Sequence, residues 1–137
     1  MTSFNDAQQH FRSNRKHRRI HAALSCQVGS PGGKLSAAQV LDLSIGGMKF
    51  SCSQDVVSLI IPEGMRTVGL IMDVDINILL KLPTDKKRAT VIKSAARLVH
   101  SERLSQDEFH VGVNFTSLTL SAIQLMETYI DCENDYG

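Results

Sequence analysis

The sequence predicts a mainly β protein, a six-stranded antiparallel barrel followed by one C-terminal α-helix. Three observations carry that expectation. Several segments alternate apolar and polar residues with the period of two that a half-buried strand requires. Short polar or glycine-rich turns separate most of them, and the apolar spacing becomes helical only near the end of the chain. The length of 137 residues suits one domain, and closing so many short strands into a barrel removes their exposed edges.

Residues 1–14 are polar, lack sustained periodicity and read as a flexible N-terminal arm. The first strand starts near Arg19: Ile20, Ala22, Leu24, Cys26 and Val28 form one side, and His21, Ala23, Ser25 and Gln27 the other. Gly29-Ser30-Pro31-Gly32-Gly33 ends it in a hairpin loop, because glycine permits positive φ and proline removes a ladder donor. A second strand is expected over about 34–43. Ser44-Ile45-Gly46-Gly47 then turns the chain into a third, where Met48, Phe50 and Cys52 alternate with Lys49 and Ser51.

Residues 53–74 carry apolar runs cut by Pro62, Gly64 and Gly69, which fit either short edge strands or a long packed connection. A strand over 75–82 stops at Pro83, a charged turn follows at 84–88, and a long β-rich run extends over 89–100. Residues 101–106 read as a polar connection. Phe109, Val111, Val113 and Phe115 alternate with His110, Gly112 and Asn114 in the clearest strand of the chain. Leu120, Ile123, Met126 and Ile130 then recur at helical spacing, with Ser121 and Gln124 in the relation of a capping box. The acidic residues 131–137 are expected to fray.

Composition narrows the function. Aromatic residues make up 5% of the chain, with no Trp, so a base-stacking platform is disfavoured and the core must be largely aliphatic. Three widely spaced cysteines, Cys26, Cys52 and Cys132, suggest neither a disulfide framework nor a zinc site. The start lacks the pattern of a secretory signal, and the apolar runs are too short to span a bilayer. These features give the expectation of a cytoplasmic protein without membrane insertion. His17, His21, His100 and His110 read as surface or strand residues, since no Cys, Ser or carboxylate joins them in a recognised catalytic arrangement. No catalytic residues and no metal site are expected.

The net charge of +1 conceals an asymmetry: residues 1–21 carry +4 and the remainder −3. A basic segment of this kind serves as a solvated tail, as an electrostatic arm, or as half of a phosphate clamp. The clamp needs a second half. Two motifs supply the pair: Arg15-Lys16-His17-Arg18-Arg19, an Arg-x-x-x-Arg, and Asp42-Leu-Ser44-Ile-Gly46-Gly47, an Asp-x-Ser-x-x-Gly at a strand-to-strand turn.

With these motifs, followed by Met48-Lys-Phe50 and by Phe109-His-Val-Gly-Val-Asn-Phe115, the chain resembles the PilZ domain, a bacterial receptor module for cyclic di-GMP (c-di-GMP). The resemblance covers residues 15–131, leaving 132–137 as a C-terminal tail, and implies the six-stranded barrel with its C-terminal helix. It further implies c-di-GMP as ligand and no other cofactor. Arg15 and Arg19 would contact phosphates and guanine, while Asp42, Ser44, Gly46 and Gly47 would form the base-recognition turn. Lys16 and Arg18 match no fixed position and keep an auxiliary electrostatic role.

The residue chemistry agrees. Arginine's planar fork can hold a phosphate, or guanine O6 and N7, bidentately. A carboxylate supplies paired acceptors for guanine N1–H and N2–H, and a hydroxyl both donates and accepts. Ordering of the arm around the ligand would then signal to a downstream protein. Two alternatives stand beside this: a PilZ-like adaptor that works through protein contacts without nucleotide, and a small nucleic-acid-binding barrel. The scarcity of aromatics argues against nucleic acid.

Overall fold

The computed structural model describes residues 19–61, 74–83 and 89–136, the last three without their side chains. Among these, the chain forms β1 (Ile20–Gly29), β2 (Ser36–Leu43), β3 (Gly47–Cys52), α1 (Gln54–Ile60), β4 (Asp75–Pro83), β5 (Ala89–Ser105), β6 (Glu108–Phe115) and α2 (Leu120–Tyr136). The six strands close into an antiparallel barrel in the order β1-β2-β3-β6-β5-β4. This is the expected fold class, with one helix more than expected.

Alternation builds the barrel. Along β1 every second side chain is buried, and β4 repeats the pattern with Ile76, Ile78, Leu80 and Leu82 pointing inward. Phe50, Leu43, Val40, Val111 and Leu98 fill the interior beside them. Gly32, with φ of 76°, takes the left-handed conformation in the β1–β2 hairpin.

Three details depart from the sequence reading. The stretch after β3, read as either short edge strands or a long packed connection, opens with a helix. Ser53 caps α1, its side chain accepting from the Val56 N–H, and Val56, Val57 and Ile60 are buried. β5 also runs on through residues 101–105 of the expected 101–106 connection, because Ser101 to Ser105 continue to pair with β6 across one register shift between Arg103 and Ser105. Finally, Thr119, not Ser121, caps α2: its Oγ1 accepts from the Ala122 N–H at 3.1 Å and its carbonyl from Ile123 N–H at 3.0 Å. α2 buries Ala122, Met126 and Ile130 and continues to Tyr136, through residues expected to fray. Among the described residues no helix is long and apolar enough to cross a membrane.

Candidate functional site

The Asp-x-Ser-x-x-Gly motif sits where β2 turns into β3, at the end of the barrel where β1 begins, with Ile20 paired to Leu43 and His21 to Asp42. A bulge sets the direction of Asp42. Strict alternation would place it on the same side as Val40, which is fully buried in the barrel. The step from Val40 to Asp42 on β2, however, faces the single step from Phe50 to Lys49 on β3. Leu41 is the extra residue, and it shifts the phase so that Val40 and Leu43 point inward while Asp42 faces out.

Asp42 is only 14% exposed, and its Oδ1 lies 2.7 Å from Nδ1 of His21, whose side chain is 97% exposed. Reading across the strands, His21, Asp42, Lys49, Gly112 and His100 are successive cross-strand partners on the outer face. His100 lies so close over Gly112 that a Cβ there would meet its imidazole. A concavity of about 750 Å³ lies further along the wall, away from the motif turn, lined by Ser25, Gln27, Gln39, Ser51 and Ser53 among others and by none of the five residues of this row.

The turn is fixed from inside. Ser44 is 2% exposed. Its hydroxyl accepts from the Gly47 N–H and donates to the Gly47 carbonyl, both at 3.2 Å, and its own N–H donates to that carbonyl at 2.9 Å. The Gly46 carbonyl accepts from Phe115 N–H at 2.9 Å, tying the turn to the end of β6. Gly47 itself leaves no room for a side chain, because a Cβ would run into the Val113 carbonyl. Ser44 and Gly47 thus hold the shape of the turn that presents Asp42.

Arg19 is exposed and immediately precedes β1, two residues from His21. Arg15, Lys16 and Arg18 lie outside the described residues. The sequence alone does not bring His21 and Lys49 to Asp42, since only cross-strand register makes them its neighbours. The signal was there in outline: both occupy polar positions of alternating strands next to the motif turn.

Other chemistry finds little support here. Among the described residues no group of three His, Cys, Asp or Glu could hold a metal ion. Burial pushes the Cys26 thiol up to about 12 and the Cys52 thiol to about 11, with the Cys26 shift reinforced by the charge of Cys52; such thiols are poor nucleophiles.

The fold is a closed barrel that presents the partly shielded Asp42 carboxylate on a braced turn, with Arg19 immediately before β1. The chain belongs to the PilZ domain family, whose model matches residues 13–131. A comparison with curated proteins gives no match. Among solved structures, the Bacillus subtilis inhibitor of motility (MotI/DgrA) aligns with a TM-score of 0.65 at 13% identity, covering 88% of this chain and 52% of that one. The Borreliella burgdorferi PlzA protein in complex with c-di-GMP aligns at 0.58 and 15% identity, covering 96% and 58%. The PilZ domain of Escherichia coli YcgR with c-di-GMP aligns at 0.54 and 14% identity, covering 89% and 93%. At these identities the likeness is one of fold. The chain spans about half the length of the Bacillus protein.

Proposed function

We propose that this chain is a c-di-GMP receptor module. The observation that carries the reading is the outward-facing Asp42, held on a turn braced by Ser44 and Gly47 and lying across the barrel wall from the start of β1, where Arg19 stands. A carboxylate at this point accepts guanine N1–H and N2–H. Arg15 and Arg19 supply guanidinium groups for phosphate and for guanine O6 and N7, with Lys16 and Arg18 adding positive potential. Gly47 lets the turn lie against β6, where a Cβ would strike the Val113 carbonyl, and Gly46 adds no side chain beside Asp42 to hinder the ligand. Family membership and the c-di-GMP complexes of two fold neighbours support the assignment.

The module acts as a receptor and not as an enzyme: ligand binding orders the basic segment, and a partner protein reads the new surface. Isothermal titration with c-di-GMP, cyclic di-AMP and GTP tests the binding. The expected result is selective binding of c-di-GMP, abolished by Arg15→Ala or Arg19→Ala and weakened about 10- to 100-fold by Asp42→Ala, the range for a hydrogen bond to a charged group. Equal binding of all three ligands would refute guanine recognition; binding of none would leave the family's fold serving as a protein adaptor.

A further inference from the structure

We propose that His21 is a positioning residue for guanine recognition, holding the Asp42 carboxylate in the orientation that reads the base edge. The inference deepens the c-di-GMP reading and rests on it. Its ground is the contact of 2.7 Å between His21 Nδ1 and Asp42 Oδ1, made between directly opposite residues of β1 and β2.

The terminal torsion of an aspartate is broad and roughly two-fold. The bulge at Leu41 sets which side of the sheet Asp42 faces, but not how its carboxylate is turned. One directional donor removes that freedom. An ionised carboxylate offers about four lone-pair sites, so an Nδ1–H bond to Oδ1 leaves the second site of Oδ1 and both of Oδ2 for N1–H and N2–H. The imidazole is 97% exposed and packs against little else. Removing it therefore costs the fold little, while the carboxylate loses its orienting partner.

Titration calorimetry of the full chain with c-di-GMP and with cyclic di-IMP, which lacks the guanine 2-amino group, tests the proposal. His21→Ala should weaken c-di-GMP binding about three- to tenfold, between the worth of an exposed ion pair and that of a charged hydrogen bond. It should also shrink the preference for c-di-GMP over cyclic di-IMP, because that preference is read through Asp42. His21→Asn, whose side-chain amide N–H can take the place of Nδ1–H, should restore both quantities, whereas His21→Gln, which places its amide near Nε2, should not. Unchanged affinity in His21→Ala, an unchanged preference, or failure of His21→Asn to rescue overturns the positioning role. A wild-type chain that does not bind c-di-GMP overturns the receptor reading first, and this inference with it. Wild-type binding lost in Asp42→Ala yet indifferent to His21 overturns the inference alone.

Discussion

The glycines around the site differ in what an added Cβ would meet. Gly47 faces backbone: an added Cβ would strike the Val113 carbonyl, and β6 cannot retreat without breaking its pairing with β3. Gly112 faces only the ring of His100, an exposed side chain that can swing aside. Gly47→Ala should therefore destabilise the domain by about 1–3 kcal/mol, the usual cost of overpacking, and Gly112→Ala by clearly less. Urea denaturation of the two variants checks this, and equal costs would show that the close approach at Gly47 does not control the turn. The motif was legible because Asp, Ser and Gly in that order carry their own turn chemistry. The outward direction of Asp42 was not, since period-two reading through Val40 turns it inward and only the Leu41 bulge reverses it. His21 was equally hidden, because its significance depends on a register partner 21 residues away in sequence.

Elements were legible where burial repeats on one face and obscure where it does not. β1 and β4 could be read directly because water on one side and core on the other impose alternation, and β6 from its alternating residue types, although the outward Gly112 is itself buried beneath His100. The end of β5 escaped detection because all of its residues from His100 onward are exposed, leaving hydrogen bonds to β6 as the evidence of a strand. α1 escaped because Val56-Val57 followed by Leu59-Ile60-Ile61 reads equally as a buried strand; its cap, Ser53, is three residues before Val56 and carries no acidic or amide partner there. At the start of α2 the two candidate caps are two residues apart, and the hydrogen bonds select Thr119. Thr119→Ala should cost about 1 kcal/mol of stability, the typical worth of an N-cap, whereas Ser121→Ala, already inside the helix and exposed, should be near neutral. Thermal denaturation of both distinguishes them; the reverse order would return the cap to Ser121.

Closure of the whole barrel buries Cys26 on β1 and Cys52 on β3 in one core, at 4% and 7% exposure, so both thiols are largely shielded from water. Burial raises them above the ordinary thiol range, to about 12 and about 11. The consequence for stability has a definite sign. Below pH ~8.5 both folded and unfolded chains keep the thiol protons, and the contribution is fully present. As pH rises further the unfolded chain releases them first, so the folded state loses ground until its own thiols ionise. Each thiol can contribute at most about 1.4 kcal/mol per pH unit over that window. Urea denaturation between pH 7 and 10 should show wild-type stability falling more steeply above pH ~8.5 than that of the Cys26→Ala/Cys52→Ala variant, whatever the lysines and tyrosines common to both contribute. Cys132, exposed on α2, provides the control: it should react with a thiol reagent in the native state, while Cys26 and Cys52 react only as fast as the barrel opens. Parallel pH profiles in the two proteins, or three thiols reacting together without denaturant, would mean that the barrel admits solvent to its core and that the closed wall presenting Asp42 is not a rigid platform.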